Sequence, residues 1–577
     1  GTGKPRTLTA RIAWLVRRRG VDPSQVLAVT FSNRAATEMR ERLKAIVPQD
    51  VAARLHVGTF HAICWQILRR ELGLDWSICS EEAQLAIVRQ VLRDVGTDRS
   101  IVGRRNIAEK VAATISRLKG ALADVAREEI PADVAEIGLC PAVGRAYQAA
   151  LEGNKMLDFD DLILRTIRLF DESAELLGHY RQRFRHIAVD EFQDTNAAQR
   201  RLVELLTNGL FGSESKHAAP LPLDPQAGRG KSEGVGCVQR TSVGALHAPY
   251  DRSLTVIGDP DQAIYSFRGA SSQNFVGFER SFPGTRFVRL TQCYRSSPLI
   301  LSAAGEVIRR NPGRVDHRLE SLAAPGPNVQ VERTESEEDE AKFVVGEIRR
   351  LMGGLDRQDF DTKAVAGHDP DEQLSFADFA VLYRLHAVGA ALVEEFTRSG
   401  IPFQQIGGPL LREQVETRTL MAVLRFLANP EDRLSREWVS SNSMRGPTAF
   451  VVEQLRSKCT IESPARAVLE RLRGRLECDA DMDCQSALMR LIAHATACDE
   501  SLGEFLRRLD LERYEDLHDP RADKVTLMTL HAAKGLEFGV VFLVGCEAGV
   551  LPYLRPDPSP PTPLPADGAR GGSQSRA

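Results

Sequence analysis

The chain has 577 residues, 43% hydrophobic and 27% charged, with a formal net charge of −3 at pH 7. That composition is ordinary for a globular protein, and at roughly 150 residues per domain the length suggests about four domains. Near-neutral charge excludes a bulk polycation, so any nucleic-acid contact must come from a local groove.

No apolar run reaches the length of a membrane span, and no signal peptide is visible. The ten cysteines form no CxxC pair, and Cys478, Cys484 and Cys498 lack zinc spacing. Scattered cysteines suit a reducing compartment, so a cytoplasmic location is expected.

Gly1–Thr9 reads GTGKPRTLT. It resembles the back half of a phosphate-binding loop, where backbone N–H groups cradle phosphates and a lysine meets the β/γ-phosphates. Gly1, Thr2, Gly3 and Lys4 fit that cradle. The motif starts midway, so further residues are expected upstream. Pro5 departs from the pattern. The usual Ser/Thr supplies a hydroxyl for Mg²⁺ and a backbone N–H, and proline has neither, although it suits the first turn of a helix.

A helix is predicted at Leu8–Arg19, a strand at Val26–Ser32 and an amphipathic helix at Asn33–Ile46. A strand at Val57–Phe60 enters a helix at His61–Leu72. Such β-α-β-α alternation predicts a parallel sheet. Phe31, Asn33 and His61 fall just past strand ends, where a ligand would pass; core packing and helix capping explain Phe31 and His61 equally well. Residues 76–180 read as a helical insertion without a convincing strand. Its exit, Leu157–Leu162 (LDFDDL), reads as an acidic start to a surface helix rather than a metal site.

The chain re-enters the sheet at His186–Gln199, HIAVDEFQDTNAAQ. A short apolar strand there ends in Asp190 and Glu191. Ligands bind beyond the carboxyl ends of strands in open α/β sheets. One carboxylate there can hold Mg²⁺, and the other can orient and deprotonate a water. Residues 208–252 are Gly-, Pro- and Ser-rich and read as a disordered surface insertion. Its GRGKS lacks a preceding strand and is no phosphate loop.

Leu254–Ala270, LTVIGDPDQAIYSFRGA, predicts a strand, a turn at Gly258–Pro260 and a polar sensor at Gln262. Tyr265, Phe267 and Arg268 behind it suit a link to a stacked base. A strand at Phe287–Leu290 leads to QCYRSS, where Tyr294 can stack on a flat ring and Arg295 can reach a phosphate. Strands at Val329–Glu332, Phe376–Tyr383 and Phe403–Ile406, with helices at Glu337–Met352 and Ala387–Ser399, predict a second α/β domain. A loop insertion is expected at Leu355–Gln373 and a second helical insertion over 431–521. Lys524–Tyr553 predicts strands at Val525–Met528 and Val540–Val544, a loop with Thr529 and His531, and a helix start at Lys534–Leu536. Leu554–Ala577 reads as a disordered tail.

The stretches GTGK, TFSNRAATEMRERL, VGTFHAI, HIAVDEFQDTN, VIGDPDQAIYSFRGA, LTQCYRSS and VTLMTLHAAKGLEF occur in one family's order. Over residues 1–553 the chain resembles the UvrD/Rep/PcrA-type superfamily 1 DNA helicases.

The resemblance implies an α/β fold of two RecA-like P-loop NTPase domains, each with a helical insertion. Domain 1 would cover 1–75 and 181–285, and domain 2 would cover 286–430 and 522–553. ATP would lie in the cleft between them and single-stranded DNA across the top. Lys4 would meet the phosphates, Asp190 would hold Mg²⁺ and Glu191 would activate water. Gln262 would sense the γ-phosphate, and Arg295 would contact it with Gly535 and Glu537. Arg6 and Tyr294 would sandwich the adenine. Phe31, Asn33, His61, Tyr265, Phe267, Arg268, Thr529 and His531 would line the DNA path.

The implied activity is ATP-driven 3′–5′ movement on single-stranded DNA and at duplex junctions, in repair or replication restart. The family's adenine-reading glutamine motif and final arginine motif are absent from these residues, and the second insertion is short. With Pro5, these departures predict weak ATP hydrolysis or none. Two other readings stay open. One is a non-catalytic single-strand-binding remnant. The other is the helicase subunit of a RecB/AddA-like helicase–nuclease, which requires a nuclease domain that these residues do not contain.

Overall fold

The computed structural model describes residues 3–73, 76–97, 106–123, 125, 139–207, 237–239, 252–266, 270, 275, 277–311, 319–353, 374–407, 414–430, 432–441, 449–476, 482–496, 500–511, 518–519 and 521–552. They fall into two compact units, Gly1–Gln330 with Gly408–Leu517, and Val331–Gly407 with His518–Ala577. No helix among the described residues is long and apolar enough to cross a membrane.

The first unit is built on a six-stranded sheet. Its strands are β1 (Val26–Thr30), β2 (His56–Thr59), β3 (His186–Val189), β4 (Cys237–Gln239), β5 (Ser253–Val256) and β6 (Thr285–Phe287), in the order β2-β1-β3-β5-β4-β6. The pairs among β2, β1, β3 and β5 are parallel, and β4 runs antiparallel to both neighbours. All five residues of β1 are buried, as expected for a parallel strand covered on both faces. Leu27 and Val29 pack on one face with Phe60, Ile63 and Ile67. Val26 and Ala28 pack on the other with Leu8, Ile12, Ala36, Met39 and Leu43.

Three helices hold the loops that follow these strands. Helix α1 (Lys4–Arg19) accepts Pro5 in its first turn, where no backbone N–H is needed. Helix α2 (Asn33–Ile46) is capped by Ser32, whose hydroxyl accepts from Ala35 N at 3.2 Å. Helix α3 (Phe60–Leu72) is capped by Thr59, which accepts from Ala62 N at 3.3 Å. Such caps each contribute about 1 kcal/mol and fix where each strand gives way to a helix.

The second unit carries a parallel sheet of β7 (Phe379–Tyr383), β8 (Phe403–Ile406), β9 (Val525–Thr529) and β10 (Val540–Leu543), ordered β8-β9-β7-β10. Phe379, Val381, Tyr383, Val525 and Leu527 face Val344, Ile348, Leu392 and Phe396 of the helices Glu337–Leu351 and Gly389–Ser399.

Several expectations change. The segment 76–180 is not wholly helical: Ser77–Ile78 pairs in parallel with Met156–Leu157. Within 208–252, Cys237–Gln239 is a strand that lies between Ser253–Val256 and Thr285–Phe287 in the first sheet and joins them. Residues 208–236 and 240–251 lie outside the described residues, as do 355–373 and 554–577. The second α/β domain was expected to open at residue 286, yet Thr285–Phe287 pairs into the first sheet. The stretch Val329–Glu332 is not a strand; Val329 and Val331 are exposed and pair with no strand among the described residues. Lys534–Leu536 forms turn and irregular backbone rather than a helix, with Gly535 at φ 84°, a conformation that halts a right-handed helix.

The acids of LDFDDL were expected at a surface, yet Asp158 and Asp161 are buried and Asp160 is half-buried. Asp158 caps the helix Phe159–Glu172 by accepting from Asp161 N at 2.8 Å. Lys119 Nζ lies 2.6 Å from Asp158 and 2.8 Å from Asp161, with all three side chains at most 5% exposed. Tyr147 donates to Asp158 at 2.8 Å and Gln148 to Asp161 at 3.2 Å. Lys119, Asp158 and Asp161 therefore each have hydrogen-bond partners within the cluster.

Candidate active site

The loops after β3 and β5 converge on the N-terminus of α1. Gly3 caps that helix at φ 74°, a left-handed conformation that glycine adopts without a Cβ penalty. Lys4 follows and is 7% exposed. Its Nζ lies 3.3 Å from Glu191 Oε1 and 3.3 Å from Gln262 Oε1. A lysine in the first turn, a carboxylate after β3 and an amide after β5 thus meet at one point. They are 187 and 258 positions apart in the chain.

Asp190 sits at the end of β3, 6% exposed, with its backbone N–H bonded to Val29 O at 2.9 Å. Its carboxylate accepts from Glu191 N at 3.0 Å. Glu191 has φ 48° and ψ 46°. A non-glycine residue there costs on the order of 1–3 kcal/mol, and such residues cluster at functional sites. The strained backbone turns the Glu191 carboxylate toward Lys4. Mg²⁺ typically takes one or two carboxylates plus phosphates and waters. Asp190 fits that donor set, and Pro5 adds no hydroxyl to it.

Gln193 and Asp259, to which the sequence pattern assigns no role, extend this site. Gln193 is fully buried. Its Nε2 donates to Glu191, and its Oε1 accepts from Asp259 N at 3.0 Å. Asp259 accepts in turn from Gln262 Nε2 at 2.7 Å. Only the spacing of DEFQ and GDPDQ hinted at them.

The expected DNA-path residues divide. Phe31, half-buried, stacks with Tyr265 at 4.8 Å between ring centroids. Tyr265 is itself 3% exposed, which leaves little of its ring for a base. Asn33 opens α2. His61 is 8% exposed and meets the ring of Phe159 edge-on at 5.7 Å, so it touches the LDFDDL segment. Arg6, Tyr294 and Arg295 are exposed. In the second unit, Thr529 ends β9 and its hydroxyl accepts from Ala532 N at 3.4 Å. His531, Gly535 and Glu537 follow in the turn. Gly1, Thr2, Phe267 and Arg268 lie outside the described residues.

A glycine-started helix offering a lysine, next to paired acids at the end of a parallel strand, defines the class: a P-loop nucleoside-triphosphatase site. Comparison with known proteins narrows it. The UvrD/REP helicase N-terminal domain profile matches residues 1–211 and 239–283, and the UvrD-like helicase C-terminal domain profile matches 288–463 and 485–559. The ATP-dependent DNA helicase UvrD1 of Mycobacterium leprae is 33% identical over 96% of this chain and 76% of its own length. The ATP-dependent DNA helicases PcrA of Leuconostoc citreum and of Staphylococcus aureus are 32% and 30% identical, each over 96% of this chain. The chain belongs to the UvrD-like helicase family.

Proposed function

We propose that this chain is an ATP-driven DNA helicase that moves 3′ to 5′ along single-stranded DNA, opening duplex junctions in repair or replication restart. The observation that carries this reading is the meeting of Lys4, Glu191 and Gln262. Lys4 would hold the β/γ-phosphates, Glu191 would take the proton of the attacking water, and Gln262 would read the γ-phosphate. Mg²⁺ bound by Asp190 would neutralise charge developing on the phosphates. Arg6 and Tyr294 would flank the adenine, and Arg295, Gly535 and Glu537 would serve the phosphate end.

Phe31, Asn33, His61, Tyr265, Phe267, Arg268, Thr529 and His531 would serve the DNA path. The Phe31–Tyr265 stack supports Phe31 as the ring presented to a base, with Tyr265 backing it. Strand separation on duplexes with a 3′ or a 5′ single-stranded tail tests the function and its direction. ATP-dependent opening of the 3′-tailed duplex alone is expected; opening of the 5′-tailed duplex alone overturns the direction.

Pro5 favours a second reading, a DNA-binding protein with little turnover. Losing one preorganised electrostatic donor costs on the order of 10²–10³ in rate. Salt-sensitive single-strand binding with no DNA-stimulated ATPase would identify that case, and Pro5→Thr would then raise turnover.

A further inference from the structure

The side chains around Lys4 form a closed hydrogen-bonded ring. Lys4 Nζ reaches Glu191 Oε2 at 3.4 Å and Gln262 Oε1 at 3.3 Å. Gln262 Nε2 donates to Asp259 Oδ2 at 2.7 Å. Asp259 N donates to Gln193 Oε1 at 3.0 Å, and Gln193 Nε2 donates back to Glu191 Oε2. Asp259 also accepts from Asp261 N at 3.1 Å, which fixes the turn that carries Gln262. Gly258 lets the ring close: a Cβ at that position would lie 2.2 Å from Gln193 Oε1 and 3.1 Å from the Phe275 ring. No larger residue leaves room for the Gln193 amide.

The links are unequal. Those on the protein side are shorter and run through two buried residues, Gln193 at 0% and Asp259 at 9% exposure. The two Lys4 links are the longest. A triphosphate competing for the Lys4 ammonium would break those two and leave the Glu191–Gln193–Asp259–Gln262 chain intact. A buried amide that donates to one reacting group and accepts beside the other cannot shift without moving both.

We propose that Gln193 and Asp259 are positioning residues that tie the Glu191 carboxylate to the Gln262 amide, so that both groups answer the γ-phosphate as one unit. The proposal rests on the ATP reading above. It assigns Gln193 no contact with nucleotide or water. Gln193 sets the direction of the Glu191 carboxylate, and Asp259 sets that of the Gln262 amide.

The test compares the full chain with Gln193→Leu, Gln262→Ala and the double variant. Mant-ADP fluorescence gives nucleotide affinity, and ATP hydrolysis is measured with and without oligo(dT). Gln193→Leu is expected to bind mant-ADP within about a factor of two of the unaltered chain, the limit for uncoupled sites. It should lose DNA-stimulated kcat by about 10²-fold or more. The double variant should be no more than about twofold slower than the slower single variant, because residues acting as a unit do not multiply their losses.

Multiplied losses overturn the proposal, and so does a mant-ADP affinity that falls in step with kcat. If Gln193→Leu lacks a cooperative unfolding transition, Asp259→Ala and its double with Gln262→Ala make the same comparison from the other side of the ring. An unaltered chain that binds mant-ADP without hydrolysing ATP also overturns the proposal, since no turnover exists for the ring to serve. An unaltered chain that binds no mant-ADP overturns the ATP reading itself.

Discussion

Lys119 and Lys4, the buried lysines among the described residues, both pair with carboxylates, and their settings differ. Lys119 is 2.6 and 2.8 Å from Asp158 and Asp161, and none of these three side chains exceeds 5% exposure. Lys4 stands 3.3 Å from Glu191, whose side chain is 21% exposed. Burial alone would favour the neutral amine of Lys119, but the two aspartates outweigh it and hold its pKa above the ordinary value. Burial opposes the Asp158 charge too, yet Lys119 brings its pKa below the usual carboxylate value. That cluster is complete without a ligand. The Lys4 site has looser links, one strained backbone and an accessible carboxylate. A charge cluster that satisfies itself serves the fold, and one left loosely satisfied at strand ends is ready to exchange partners.

The contrast can be broken most severely at Glu191. Glu191→Gln is expected to cut DNA-stimulated ATP turnover by on the order of 10²–10⁴, while the denaturant midpoint stays nearly unchanged. A variant that unfolds instead would make the Lys4 site structural, like the other cluster.

Lys119→Met should do the reverse. Removing one partner of a buried ion pair leaves uncompensated charge and costs about 3–5 kcal/mol, read from chemical denaturation. Mant-ADP binding by the folded fraction should be unchanged.

A smaller effect depends on pH. Burial, and then the Asp158 carboxylate, push Asp160 up from 3.8 to about 7. The folded state therefore holds a proton that the unfolded chain releases. Its contribution to stability is complete below about pH 4 and is lost progressively as pH rises to about 7. Hydrogen exchange of the helices Ile107–Gly120 and Phe159–Glu172 should be faster at pH 7.5 than at pH 5, after correction for intrinsic rates. Asp160→Asn should flatten that dependence.

The smallest expected change is in stability at Lys4. Lys4→Met should cost less than Lys119→Met, because the Lys4 links are longer and the Glu191 side chain keeps 21% exposure, while mant-ADP binding is lost. Together the four measurements place the two lysines at opposite ends of one scale.

How much could be read without coordinates follows the range of the forces involved. The helix Asn33–Ile46 and the strand Phe403–Ile406 have the bounds their patterns predict, because capping and side-chain alternation act over a few residues. Asp190 and Glu191 announced themselves as acids ending an apolar strand. The Lys119 cluster did not, since Lys119 lies 39 positions from Asp158 and neither residue carries a local sign of the other. The strand Cys237–Gln239 was hidden by the polar, Gly-rich residues on either side. The failure of Lys534–Leu536 to form a helix turns on Gly535 at φ 84°, a conformation glycine permits and does not require.

The sequence alone determined the alternation of strands and helices, the phosphate-loop lysine, the acid pair and the order of motifs that marks the family. These are encoded in periodicity and in residues near one another in the chain. Only the tertiary structure decided which charges neutralise each other and which stay available to a ligand. Pairing between distant charges depends on distance and burial, and both are set once the sheet has assembled.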